Sequence, residues 1–194
     1  MSILLDVFGS VVIAGMLFML IVKLNLFSSQ TSYSSDSELK LIQNTKTLAE
    51  IIDYDFRKVG YRISGNAIET AEFKKFKFNA DIDRDGSPNI VEYTVSTTEK
   101  VKGTENPNDV ILYRIVDGDS MGGPSLGLVD IKFSYLDSVH TILATPVVGN
   151  DLKRIRYIKT EMWVEGSDAI PNAYSTSSSY SKTYWEFTIN PRNL

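Results

Sequence analysis

Residues 3–27 read ILLDVFGSVVIAGMLFMLIVKLNLF, and the positions from 7 to 22 carry no charge. A run this apolar must be sheltered from water, either in a protein core or in a bilayer. As a helix it would extend about 37 Å at about 1.5 Å per residue, enough to cross a hydrocarbon core of about 30 Å. Lys23 can snorkel from one end, and Asp6 sits at the other, where a carboxylate costs less than at mid-depth. A cleavable secretory signal would need a basic stretch before the apolar run and a small-residue cleavage site after it. Nothing basic precedes Lys23, and Leu26-Phe27-Ser28 is a poor cleavage site. The expectation is a retained membrane stem, with a buried core helix as the alternative. Within it Ser10 and Ala14 stand four apart, flanked by Gly9 and Gly15, a spacing that permits close helix–helix approach in an apolar medium.

Residues 28–35, SSQTSYSS, are polar and poor in helix formers, so a joint is expected there. Ser35 and Glu38 fit a capping box, which predicts a new helix over 36–59. Leu41, Leu48, Ile52, Phe56 and Val59 fall at helical period, with Leu39, Ile42, Ala49 and Ile51 beside them, making a broad stripe suited to lie on a sheet. Arg57 and Lys58 favour the helix C-terminus, and Gly60 suits the residue after it.

Beyond Tyr61 the period changes to two. Phe76 and Phe78 alternate with Lys75 and Lys77, and Val91, Tyr93 and Val95 alternate with Glu92, Thr94 and Ser96. Further strands are predicted over 110–116, 126–136, 153–164 and 180–189. Turn residues separate them at 106–109, 117–118, 122–124, 149–150 and 166–168. No crossover helix lies between most of these strands, so the sheet should be mainly antiparallel. The expectation is an α+β chain: residues 1–60 an N-terminal helix in two parts, residues 61–194 a globular β-rich domain.

The 194 residues carry 20 basic and 24 acidic side chains, a net charge of −4 that exerts no global pull on nucleic acid. With no cysteine there is no disulfide, thiolate metal site or cysteine nucleophile. His140 is the one histidine, so a serine–histidine dyad has a single candidate base. No catalytic constellation is legible, and the expectation is a protein that is not an enzyme.

This order of segments resembles the type IV pilin-like superfamily, most closely its W-type minor pilins and the J-type pseudopilin of type II secretion. The resemblance rests on four stretches: the apolar stem with an acidic residue near its start; Asp55-Phe56-Arg57-Lys58-Val59-Gly60-Tyr61; the Asp-rich turn at 81–86 leading into a Val/Tyr strand; and the ending Pro191-Arg192-Asn193-Leu194. It implies a structural subunit of a pilus-like filament or secretion pseudopilus, with copies of itself or other pilin-like subunits as partners. The chain would be held in the inner membrane before assembly. The basic leader ending in Gly that marks family precursors does not precede the stem. Loss of Met1 would nevertheless place Asp6 at the fifth position, where the family carries Glu. There the resemblance implies pairing with the terminal amine of an adjacent subunit; the other reading is an interfacial Asp that caps the stem helix. Asp6, Gly9, Ser10, Ala14 and Gly15 are accordingly the candidate assembly residues. The rival function, from another class, is a single-span membrane-anchored binding module that never polymerises.

Residues 81–92, DIDRDGSPNIVE, match D-x-D-x-D-G-x5-E at every defined position. Asp81, Asp83, Asp85, Ser87 and Glu92 are the candidate oxygen ligands for Ca2+, and Gly86 allows the sharp turn. The flanking segments read as strands rather than helices, and a metal-free Asp/Gly turn is the alternative. Phe73-Lys74-Lys75-Phe76-Lys77-Phe78 mixes basic and aromatic residues as nucleic-acid binders do, but plain alternation of a buried and a solvated face explains it better. The run 174–180 reads as a serine-rich surface loop, His140 as a loop residue, and Trp163 and Trp185 as core or subunit-contact residues.

Overall fold

A computed structural model describes residues 2–101, 104–122, 126–170 and 179–194. Among the described residues, helix α1 runs over Ser2–Phe56 and is followed by eight strands: β1 Ile68–Ala71, β2 Lys75–Ala80, β3 Asn89–Lys100, β4 Val110–Val116, β5 Asp119–Gly122, β6 Leu128–Leu136, β7 Tyr157–Ile170 and β8 Ser179–Ile189. A short 3-10 helix, Gly149–Arg154, precedes β7. All strand pairs are antiparallel, so the chain is α+β as expected. The strands form two sheets rather than one: a meander β1-β2-β3-β4-β5 and a second meander β6-β7-β8. The break has a visible cause. β6 meets the bend between β1 and β2 instead of a strand edge: Phe133 N–H donates to Phe73 O at 2.8 Å and the Tyr135 hydroxyl to Glu72 O at 2.9 Å.

The chain divides into two compact units, Met1–Leu39 and Lys40–Leu194. In the first, the described large apolar side chains from Ile3 to Phe27 are all exposed, at 41–79%. This helix is long and apolar enough to cross a membrane, and none of its most apolar window is buried. The joint predicted at 28–35 is instead helical, as is the predicted cap at Ser35. Extending an existing helix is cheap compared with nucleating a new one, so this stretch of mostly weak helix formers between strong ones continues it. The Thr31 hydroxyl returns to Phe27 O at 2.9 Å and so does not compete with the helix backbone. Asp6 lies within α1, on an exposed position.

In the second unit the helix presents Leu41, Thr45, Leu48, Ala49, Ile52, Asp55 and Phe56 as its buried face. Leu39, Ile42 and Ile51 are exposed, so the buried stripe is narrower than the sequence suggests. Thr45 joins it at no polar cost because its hydroxyl donates to Leu41 O at 2.8 Å. Phe56 is the centre of the core. Its ring lies 4.9 Å from Phe76, 5.4 Å from Tyr93 and 5.6 Å from Phe133, drawing on both sheets. The alternation in β2 is as predicted: Phe76, Phe78 and Ala80 are buried. Its lysines face carboxylates, Lys75 with Glu92 at 2.9 Å and Lys77 with Glu69 at 2.7 Å, while Lys74 pairs with Asp130.

The turn expected at 117–118 is a two-residue hairpin in which Asp117 (φ 52°) and Gly118 (φ 93°) both take the left-handed form. At 166–168 no turn forms. β7 continues to Ile170, and the extra residues are absorbed as a register shift against β8 between Glu165 and Ala169. The serine-rich run lies outside the described residues over 174–178, while Ser179 and Tyr180 belong to β8.

The α-helix stops at Phe56, three residues before the expected end, and tightens: Lys58 N–H bonds Asp55 O at 2.9 Å and Val59 N–H bonds Phe56 O at 3.2 Å. Gly60 then adopts φ +77°, and a Cβ there would stand 2.8 Å from the backbone oxygen of Asn193. Both the left-handed backbone and the missing side chain are therefore required. Gly60→Ala is expected to destabilise the fold by about 1–3 kcal/mol in denaturant unfolding. An unchanged midpoint would show that the 193 backbone yields freely.

Candidate functional site

Three of the stretches that carry the family resemblance meet in space. The Asp81 N–H donates to Tyr61 O at 3.0 Å, Gly60 N–H to Asn79 O at 2.9 Å, and the Asn193 amide lies 3.5 Å from Val59 O. The helix end, the Asp-rich loop and the C-terminal residues thus form one cluster built on the turn after α1.

Asp55, the acidic residue of the helix-end stretch, is buried. Its Oδ2 accepts from the Tyr93 hydroxyl at 2.6 Å and from Arg114 Nε at 2.5 Å. These bonds fasten the last turn of α1 to β3 and β4. Burial and the adjacent Asp55 charge push the Tyr93 phenol far above its ordinary range. Burial opposes the Arg114 charge, but hydrogen bonding and attraction to Asp55 outweigh it and hold the guanidinium above its usual value. Sequence reading overlooked this triad. Its one local signal is Arg114, a lone charge inside the apolar strand VILYRIV.

The Asp-rich loop joins β2 to β3. Asp81 is buried, with 1% of its surface exposed, whereas Asp83 and Asp85 are exposed. Carboxylate oxygens of the three lie within 4.8 Å of one another. The loop is shaped by local bonds: Asp83 Oδ1 accepts from Asp85 N–H at 3.3 Å, Asp85 Oδ1 from Ser87 N–H at 2.7 Å, and Asn89 Oδ1 from Ile82 N–H at 3.0 Å. Arg84 (φ 68°) and Gly86 (φ 92°) supply the left-handed positions. Asp117, from the β4–β5 turn, accepts from Ile90 N–H at 2.7 Å and from the Asn89 amide at 3.0 Å. Those bonds, the backbone one first, hold its carboxyl below the usual range. Of the five candidate ligands, Asp81, Asp83 and Asp85 are brought together, and Ser87 lies in the same loop. Glu92 is drawn to Lys75 and is not part of the cluster. A cavity of about 400 Å3, lined by Tyr54, Arg57, Lys58, Tyr61 and residues 81–84, opens beside it.

In the stem, helical geometry at about 100° per residue puts Gly9, Asp6, Ser10 and Ala14 within an arc of about 140°, with Gly15 opposite Asp6. The Ser10 hydroxyl is satisfied within the helix, donating to Val7 O at 2.8 Å. A Cβ on Gly9 or Gly15 would meet nothing within 4 Å. His140 sits in a turn at φ 62°, its ring stacked 4.2 Å from that of Tyr157. Trp163 is half-buried against Tyr184, and Trp185 is 43% exposed.

Another polar cluster ties the 106–109 turn to β7. The Asn106 and Asn108 side-chain amides donate to Glu165 Oε2 at 3.1 and 2.9 Å. Burial opposes the Glu165 charge, but these donors and Lys182 outweigh it and keep its carboxyl below the ordinary value. Nearby Asp109 is pushed up by burial, which outweighs a hydrogen bond from Thr104, and further by Glu165, and its Oδ1 has no hydrogen-bond partner among the described residues. A raised folded-state pKa means that the charged form costs stability above that pKa, and that the cost fades as pH falls toward the unfolded value. Asp109→Asn is therefore expected to melt higher than the parent at pH 7 and to lose the advantage by about pH 3, below the reference carboxyl pKa of about 3.9. A melting difference independent of pH would contradict this origin.

Compared with protein families, with curated proteins and with solved structures, the chain finds no match.

Proposed function

We propose that this chain is a structural subunit of a type IV pilus-like filament or of a type II secretion pseudopilus, assembled through its apolar N-terminal helix. The observation that carries the reading is the stem: large apolar side chains exposed from Ile3 to Phe27 on a helix that continues into the folded unit at Lys40–Leu194. Water does not tolerate so large an apolar surface, so the stem takes its shelter from bilayer, from other stems, or from each in turn. The subunit waits in the inner membrane and then enters a filament, extracellular for a pilus and periplasmic for a pseudopilus. In the bundle each stem exchanges lipid for its neighbours, so the preference comes from packing at Gly9, Ser10 and Ala14 rather than from hydrophobicity. Asp6, in the same arc, pairs with a cationic group of an adjacent stem, because an unpaired carboxylate in a dry bundle is costly.

The remaining features suit a structural role. The Asp55–Tyr93–Arg114 triad locks the helix to the sheet, so a force along the stem reaches the β-rich domain through charged hydrogen bonds as well as packing. Electron microscopy of sheared surface material and of membranes from expressing cells tests the reading. Periodic fibres labelled by an antibody against residues 61–194 are expected. Labelled membranes without fibres, under conditions where the chain is abundant, would favour the membrane-anchored binding module instead.

A further inference from the structure

We propose that Asp81, Asp83 and Asp85 bind a calcium ion that braces the β2–β3 loop against the turn after α1, independently of whether the chain polymerises. Three carboxylates sharing one small volume repel one another, and such clusters occur on surfaces without any ion. The observation that sets this one apart is Asp81. Its side chain is fully buried, and among the described residues neither Oδ1 nor Oδ2 has a hydrogen-bond donor. The cation facing it is Arg62, whose Nη1 stands 3.8 Å from Oδ2 on a side chain that is 56% exposed, too far for a hydrogen bond. A buried carboxylate with both oxygens unpartnered is a costly state, and folded chains normally relieve it with donors or with a metal.

The geometry suits calcium. Two oxygens bound to one calcium at about 2.3–2.6 Å can be at most about 4.6–5.2 Å apart. The three aspartates offer oxygens within 4.8 Å of one another, inside that limit. Asp81 is anchored, its N–H on Tyr61 O at 3.0 Å, while Asp83 and Asp85 are on the exposed side of the loop, where water can complete a shell of six to eight oxygens. Magnesium demands a stricter octahedron and gives up its waters reluctantly, so a loop with a flexible exposed side favours the larger ion. The Glu at the twelfth position of the calcium-loop pattern is engaged by Lys75 at 2.9 Å, so this site differs from an EF-hand in lacking its bidentate closing ligand. That loss places the affinity at the weak end, about 10⁻⁴–10⁻³ M, as in extracellular modules.

The test uses the full chain in detergent micelles, comparing melting temperatures in chelator and in rising CaCl2, for the parent and for an Asp83→Asn/Asp85→Asn variant. Both changes are on exposed side chains, so the variant is expected to fold. The parent should melt about 3–6 °C higher once calcium is tenfold above its dissociation constant. The variant should not respond. A parent melting temperature that stays the same up to about 10 mM calcium, ten times the weak limit above, would overturn the proposal. So would a full calcium shift retained by the variant.

Discussion

Asp55→Ala is expected to lower the stability of the folded unit by about 3–5 kcal/mol, the usual cost of removing one partner from a buried, hydrogen-bonded ion pair. The change would leave Arg114, a side chain only 26% exposed, without its carboxylate at 2.5 Å, and the Tyr93 hydroxyl without its acceptor at 2.6 Å. It would also loosen the last turn of α1, next to Phe56, which holds both sheets together through its ring. For a unit of this size about 1 kcal/mol corresponds to about 2–4 °C, so a melting temperature about 6–20 °C lower is predicted. Asp55→Asn keeps an acceptor but loses the charge, and should lie between the two. Thermal melts by circular dichroism in detergent decide the matter. An alanine variant that melts with the parent would mean that packing around Phe56 alone holds the helix to the sheets.

The double change Ile13→Asp/Leu17→Asp is expected to release the chain from membranes. The ten Val, Leu, Ile and Phe residues between positions 7 and 22 each favour insertion by about 0.3–0.6 kcal/mol, together about 3–6 kcal/mol. Two aspartates near the helix centre add about 5–7 kcal/mol in the opposite sense and delete two of the favourable residues. The balance reverses. Alkaline extraction of membranes should leave the parent in the pellet and move the variant to the supernatant or to degradation. A variant that stays in the pellet would show that something other than the stem holds the chain there.

Much of the architecture follows from short-range patterns. β4 occupies the predicted residues 110–116, and β8 begins one residue early, because both are β-rich runs bounded by turn residues. β1 (IETA) and β5 (DSMG) carry no such pattern; each is a strand because a neighbour supplies a partner edge, β5 through the Asp117-Gly118 hairpin. The helical state of 28–35 was hidden because local propensity understates the cooperativity of a helix already formed on both sides. The site divides the same way. Asp81, Asp83 and Asp85 are near one another in the sequence, so their meeting was legible. Strand alternation and Lys75, neither of which the loop pattern includes, decide where Glu92 points. The link from Asp55 to Arg114 joins residues 59 apart, and only the packing of α1 on β3 and β4 reveals it.

The absence of cysteine makes the central claim directly measurable, since any introduced thiol is the only one present. Single variants Ser10→Cys and Ala14→Cys, oxidised in membranes and in sheared fractions, place a crosslink on the small-residue arc of the stem. The account predicts covalent dimers at both positions, enriched in the sheared fraction, and far less from Met19→Cys, which lies about 180° from Ser10 and about 140° from Ala14 on the helical wheel. Uniformly monomeric chains at Ser10 and Ala14, in every fraction, would contradict assembly through the stem.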